Sequence, residues 1–234
     1  MRYTTLTLES VAGSDTSAVE FTFQPARPIR FRPGQAGVLI LRGGGAKPFT
    51  LSGDANSPRV SIATSLRSGS RFKTALAHLQ PGERAHLIAP IGAAVTLAEG
   101  RHEVLVAQGI GITPFLAAAR TYRAMDATLL QVGGAHLFDQ TAASVRDARH
   151  VDHRDGLAEV VDETLRAHVG DHWSVSGRSD FVAGITAHLT ASGVPRRQIR
   201  THAFWTMPRP RPVAAAAPTR DEAARSTKAP SVVM

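Results

Sequence analysis

The 234-residue sequence contains no cysteine. That removes disulfides, iron–sulfur clusters and thiolate zinc sites, and it suits a reducing compartment. Aromatic residues make up only 6% of the chain and form no basic-aromatic cluster, so nucleic-acid binding has no support. No charged-then-apolar leader is visible: Met1-Arg2-Tyr3-Thr4-Thr5 is already alternating and polar. The most apolar run, Val104 to Ala119, is broken by Gln108 and glycines and is too short to span a bilayer. The expectation is a cytoplasmic protein with no membrane insertion.

What is present is ordinary for a globular chain: 43% hydrophobic and 20% charged residues. The net charge is +8. After Met207, five basic residues (Arg209, Arg211, Arg220, Arg225, Lys228) stand against Asp221 and Glu222, so this tail supplies +3 and leaves +5 elsewhere. The remainder could steer an acidic partner or an anionic cofactor, or reflect arginine-rich composition alone. The tail opens Pro208-Arg209-Pro210-Arg211-Pro212, lacks apolar periodicity, and reads as disordered over 208–234. A solvated tail fits it better than a proline-rich docking peptide.

Two rhythms divide the rest. Residues 1–99 read as all-β, with alternation at Val19, Phe21 and Phe23, around Val38 to Leu41, and at Val60 and Ile62. Gly and Pro punctuate at Pro33-Gly34, Gly43-Gly44-Gly45, Pro81-Gly82 and Pro90-Ile91-Gly92. Short strands so closely spaced predict a small barrel. One helix interrupts it, with Phe72, Leu76 and Leu79 on one face. From Arg101, apolar runs at 103–107, 128–132 and 172–176 alternate with helical stretches at 114–124, 157–168 and 180–192, and a short strand at 198–204 closes the series. That alternation predicts βαβ units and a parallel sheet. The boundary falls near Glu99-Gly100, giving units of 1–99 and 100–207.

Three segments suggest chemistry. After Val104-Leu105-Val106-Ala107 come Gln108, Gly109, Gly111, Thr113 and Pro114, then a helical pattern. Strand, glycine turn and helix let a diphosphate approach bare backbone and the N–H groups of a helix start. The same glycines would also arise from close packing alone. Lys47-Pro48-Phe49-Thr50 joins a cation, an aromatic plane and a hydroxyl in four residues. Strict alternation would put Lys47 and Phe49 on one face and Thr50 on the other, unless the strand end twists. In the third segment, Ser68 or Ser70 would cap the helix and Gly69 would admit a ligand. Lys73 in the first turn opposes the helix dipole unless an anion is bound there.

Taken in order, Pro33-Gly34-Gln35, Lys47-Pro48-Phe49-Thr50, Gly69-Ser70, Pro81-Gly82, Ala89-Pro90-Ile91-Gly92, Gly109-Ile110-Gly111-Ile112-Thr113-Pro114 and Val175-Ser176-Gly177 resemble the ferredoxin–NADP reductase family over residues 1–205. The resemblance implies an N-terminal antiparallel six-stranded flavin-binding barrel and a C-terminal parallel α/β nucleotide-binding domain, with no iron–sulfur domain. It implies FAD rather than FMN, with NADH or NADPH as co-substrate. Lys47 would meet the flavin phosphate, Pro48 and Phe49 would lie at the ring, and Thr50 would hydrogen-bond its N5 as the catalytic contact. Gly69, Ser70 and the helix start through Lys73 and Thr74 would take the diphosphate. Gly109, Gly111, Thr113, Pro114, Gly177 and Ser179 would form the nicotinamide-nucleotide site. The implied activity passes hydride from nicotinamide to flavin, then electrons to a separate acceptor: a redox protein, acidic for choice, or a small molecule.

Several positions depart from the family pattern. Lys47 replaces an arginine fork, and Phe49 a tyrosine. Gln108 stands where glycine is usual, Ser176 where cysteine is, and Phe204-Trp205-Thr206-Met207 lacks a later tyrosine. The strand end Leu129 to Ala135, followed by His136, lacks the basic residue that meets a 2′-phosphate, which favours NADH. These departures keep open a non-catalytic flavin or nucleotide sensor and an electron-transfer subunit of a larger complex. His150 and His153 with Asp152 and Asp155 read as a polar loop rather than a metal centre. His168 and His172 straddle a helix end. No metal site is expected, and no Ser-His-Asp set appears.

Overall fold

The structure is a computed structural model that describes residues 1–13, 18–97, 101–134, 137–153, 156–168 and 170–204, the side chain of Phe204 apart. The tail, Trp205, His136, Asp155 and the Glu99-Gly100 boundary lie outside the described residues. Two sheets organise the chain.

The first sheet is antiparallel. Its strands are β1 (Arg2–Gly13), β2 (Val19–Pro25), β3 (Ala36–Leu41), β4 (Gly45–Thr50), β5 (Val60–Thr64) and β6 (Arg84–Ile91), in the order β4-β3-β6-β1-β2-β5. The edges β4 and β5 approach each other without a ladder, so the sheet curls into a partly open barrel. Alternation explains it: Leu6 and Leu8, Phe21 and Phe23, Leu39 and Leu41, Leu87 and Ala89 all point inward and are buried. In β3 the fully buried pair is Leu39 and Leu41, with Val38 and Ile40 half-buried behind them. Helix α1 (Arg71–Ala77) plugs one end with Phe72 and Leu76, capped by Ser70.

The second sheet is parallel. Its strands are β7 (Glu103–Gln108), β8 (Ala127–Val132), β9 (Asp147–Val151), β10 (His172–Arg178) and β11 (Ile199–Phe204), in the order β11-β10-β7-β8-β9. Helices α2 (Thr113–Tyr122) and α3 (Phe138–Ala142) follow β7 and β8; α4 (Leu157–Ala167) and α5 (Ser179–Ala191) follow β9 and β10. Phe115 of α2 and Phe138 of α3 join one apolar cluster, while Val161 of α4 and Phe181 of α5 join another. Both faces of the sheet are thus covered, which is why β7 and β8 read as unbroken apolar runs. The predicted polar loop around His150 is a correction: His150 lies in β9, an edge strand whose Asp147-Ala148-Arg149-His150 carries no apolar alternation.

The halves are tied by polar contacts. Arg120 of α2 grips Glu20 of β2 bidentately, at 2.5 and 2.9 Å, with side chains only 26% and 15% exposed. Arg120 also donates to the Ser52 carbonyl at 3.1 Å, and the Ser52 hydroxyl donates to Glu20 at 3.0 Å. The Ala55 N–H donates to Thr121 Oγ1 at 3.0 Å. In the connector, the Val95 N–H donates to the Pro33 carbonyl at 2.7 Å while its side chain packs with Leu105 and Phe115.

Arg120→Ala leaves a half-buried carboxylate unpaired and should cost about 1.5–3 kcal/mol in urea unfolding. Arg123→Ala, which breaks the neighbouring Arg123–Asp54 pair where Arg123 is 81% exposed, should change stability by less than about 0.5 kcal/mol. Equal effects would contradict this account of the interface.

Candidate functional site

The strand β4 delivers two of the implied site residues to one spot. Lys47 Nζ donates to Ser70 Oγ at 3.1 Å and lies 5.9 Å from the Phe72 ring centroid. Lys73 Nζ contacts Thr64 Oγ1 and sits 5.0 Å from the Phe49 centroid. The Phe49 and Phe72 rings lie 5.5 Å apart at 34°. No carboxylate pairs with either ammonium among the described residues. Burial, and secondarily Lys47, pushes the Lys73 pKa down to about 8. Each ammonium is met by a hydroxyl, Ser70 for Lys47 and Thr64 for Lys73, and neither charge is balanced by an acid among the described residues. Gly69, at φ +55 and with open space where a Cβ would stand, lets a ligand come close. Two expectations for the helix start are narrowed. The Lys73 N–H is engaged by Ser70 Oγ at 3.4 Å, and the Thr74 N–H by the Ser70 carbonyl at 2.9 Å.

Beside this cation pair a cleft of about 380 Å³ runs between the two halves. Gly34, Pro48, Phe49, Thr50 and Ile91 to Ala93 line it from the barrel; Pro114, Thr201, His202 and Ala203 line it from the α/β half. Phe49 and Thr50 therefore share the cleft, although strict alternation would separate them.

Across the cleft, β7 ends at Gln108, Gly109 takes φ +49, and a 3-10 turn (Gly109–Ile112) feeds α2 with Pro114 in its first turn. Gln131 Nε2 pins this turn by donating to the carbonyls of Gly109 and Gly134, each at 3.0 Å. A Cβ on Gly111 would stand 2.7 Å from the Ser176 carbonyl oxygen, and one on Gly177 2.9 Å from Gln108 Cβ. Gly111 is thus required by backbone packing of the turn on the end of β10, and Gly177 by the side chains of Gln108 and Phe181 packed against it. Gln108 has a role of its own, accepting from the Arg178 N–H at 3.3 Å. Thr113 is 2% exposed, and Ser179 opens α5.

His202 carries no signal in the sequence. It faces Phe115 edge-on at 6.2 Å, and its buried Nε2 has no partner among the described residues. Burial, then Arg200, lowers its pKa, so the imidazole is neutral at pH 7.

No family model matches the sequence. No curated protein matches it either. Solved structures do. A ferredoxin reductase in carbazole 1,9a-dioxygenase superposes with a TM-score of 0.74 at 19% identity, covering 87% of this chain and 70% of that one. The flavohem-like FAD/NAD-binding domain of nitric oxide dioxygenase from Vibrio cholerae O1 biovar El Tor gives 0.73 at 20% identity, covering 86% and 98%. A ferredoxin NADP+ reductase from Neisseria gonorrhoeae, with bound FAD and NADP, gives 0.71 at 16% identity, covering 86% and 98%. The chain has the fold shared by these ferredoxin reductase-type domains.

The low Lys73 pKa has a measurable consequence. Without ligand, the folded chain releases this proton near pH 8 while the unfolded chain holds it to 10.5. The stability contribution of Lys73 therefore rises with pH across that window. A bound polyanion restores the charge and takes up a proton. Pyrophosphate should raise the melting temperature more at about pH 7 than at about pH 9.5. Equal stabilisation at both, or an unchanged response in Lys73→Met, would contradict the assignment.

Proposed function

We propose that this chain is an NAD(P)H-dependent flavoprotein reductase that binds FAD and hands electrons to a separate acceptor. One observation carries the reading: Lys47 and Lys73, with no carboxylate partner among the described residues, gather about Phe72 and Phe49, and Phe49 lines a cleft whose opposite wall includes Pro114, in the first turn of the helix that follows the glycine turn. The residues fit the cofactor. Lys47, Ser70 and Lys73 offer charge and a hydroxyl to a diphosphate, with Gly69 and the helix start through Thr74 alongside. Pro48 and Phe49 provide an apolar wall for a flat ring, and Thr50 presents a hydroxyl on the same wall. Gly109, Gly111, Thr113, Pro114, Gly177 and Ser179 form the nicotinamide-nucleotide side. Residues 1–99 are then the flavin unit and 100–207 the nucleotide unit.

Bound flavin supplies the acceptance of hydride from reduced nicotinamide and its release as electrons. The chain supplies alignment. Phe49 and Pro114, on opposite walls of the cleft, would hold the bound rings and exclude water. The Thr50 hydroxyl stabilises charge that develops on reduction. Neutral His202 keeps a positive charge away from the cleft. The 234 residues hold no cysteine and so no iron–sulfur relay. Electrons leave these residues without such a relay, and an acidic redox protein is the favoured acceptor. A groove of about 650 Å³ lined by Arg2, Arg27 and Arg30 adjoins the cleft, since Ala89 and Pro90 line the groove and Ile91 and Gly92 the cleft. Glycines at 133 and 134, with no basic side chain on them, favour NADH. Among the described residues no helix is long and apolar enough to cross a membrane. A cytoplasmic setting accords with the cysteine-free chain.

The test is to purify the chain, record its visible spectrum with and without added FAD, and then add NADH or NADPH. The expected result is a flavin spectrum bleached by nucleotide, faster with NADH. Lys47→Ala should weaken FAD about 10- to 100-fold, as loss of a charge-assisted contact does. Thr50→Ala should slow reduction about 10- to 100-fold with FAD retained. A colourless protein that fails to bind added FAD overturns the proposal.

A further inference from the structure

The opposite end of the parallel sheet holds a second constellation. His102 precedes β7, Asp171 precedes β10, Thr128 lies at the start of β8, and His168 caps the end of α4. At about 3.3 Å per residue, the length of β7 puts this group roughly 17–20 Å from the glycine turn.

His102 Nδ1 and His168 Nδ1 both reach Asp171 Oδ2, at 2.8 and 3.1 Å. The three potential ligand atoms lie within 4.8 Å of one another. The group is partly shielded, with side chains 14%, 28% and 24% exposed for His102, His168 and Asp171. His102 is oriented from behind: its Nε2 lies 3.2 Å from the hydroxyl of Thr128, which is 3% exposed. Such a partner on the far ring nitrogen is how metal-ligating histidines are held.

A hollow of about 720 Å³ opens beside His168 and Asp171. Asp162, itself 2.6 Å from His188 Nε2, also lines it. The carbonyl-rich C-terminal ends of α4 and α5 run out there, at His168 and Ser192. These ends and the two carboxylates make the hollow favourable to a cation. Arg166 is the opposing charge on its wall, and its Nε is occupied by the Asp162 carbonyl at 3.2 Å.

We propose that His102, His168 and Asp171 form a site for a divalent transition metal, with a fourth position open to this hollow. Two imidazoles and a carboxylate with one open position are a ligand set that zinc accepts. Ligand spacings of 2.8 and 3.1 Å approach the ~3.3 Å edge of a tetrahedron with ~2.05 Å bonds. One adjustment is required. The two rings are stacked, 4.2 Å apart at 5°, and parallel rings cannot both aim an in-plane lone pair at one ion. His168, the more exposed ring, turns about its broad terminal torsion to do so. The metal would tie the starts of β7 and β10 to the end of α4. In its absence the same atoms form a carboxylate bridged by two imidazole N–H donors, which is the competing role. The separation of His102 from His168 by 66 positions keeps this set out of sight in the sequence.

The test uses the full, untagged chain stripped with chelator. Zinc binding is followed by calorimetry, and cobalt binding by its visible spectrum. The expected result is one ion per chain with a tetrahedral-type cobalt spectrum, and a melting temperature raised by zinc. His168→Gln and Asp171→Asn should each weaken binding about 100-fold, and Thr128→Val about 10-fold. His153→Ala should leave binding unchanged. No binding by the folded parent chain, or equal binding by parent, His168→Gln and Asp171→Asn, overturns the proposal and leaves the hydrogen-bonded bridge. None of these readouts involves flavin, so the result stands apart from the reductase reading.

Discussion

The half-buried ion pair between Glu20 and Arg120 is the contact on which the arrangement rests. Among the described residues the barrel has one apolar cluster and the α/β half two. Directional polar contacts join the halves. Arg120 is suited to this because its planar fork fills both carboxylate oxygens and still reaches the Ser52 carbonyl. The Val95 connector closes the other side, with its backbone on Pro33 and its side chain in the α/β core. A cleft between two bodies keeps its width only when such ties hold.

The electrostatics inside the site follow from an imbalance. Elsewhere the basic residues of α2, β9 and β11 find carboxylates: Arg120 with Glu20, Arg149 with Glu163, Arg200 with Glu103. Lys47 and Lys73 have only hydroxyl partners among the described residues. Burying an unpaired ammonium is unfavourable, and the depressed Lys73 pKa records that. The arrangement is consistent with an anionic partner that completes the site. Glu103 is the reverse case: burial raises its pKa, while Ser174 and Arg200 offset that at the other end of the sheet.

Local pattern revealed what local physics determines. Strands β7, β8 and β10 were legible because both faces are covered, and α1 because Phe72 and Leu76 share a face. The segments Lys47 to Thr50 and Gly109 to Pro114 were legible because each motif is contiguous. Strand β9 was missed since an edge strand needs no apolar alternation, and α3 since five residues carry no period. Gly111 and Gly177 were ambiguous until the backbone showed what a Cβ would strike. His202, the Glu20–Arg120 pair and the His102–His168–Asp171 group were invisible for one reason. Each depends on which distant strands become neighbours, and no short window encodes that.

The most direct check of the central claim is a single-turnover experiment on FAD-loaded protein, mixing with NADH anaerobically and following flavin absorbance in the parent chain and in Arg120→Ala. If the inter-half pair sets the cleft, the parent bleaches in a fast phase. The variant, with FAD still bound and the chain still folded, should bleach at least about 10-fold more slowly, since small misalignment of reacting rings is costly. Identical rates in the two proteins, or no bleaching of the parent by either nicotinamide nucleotide, would contradict the account.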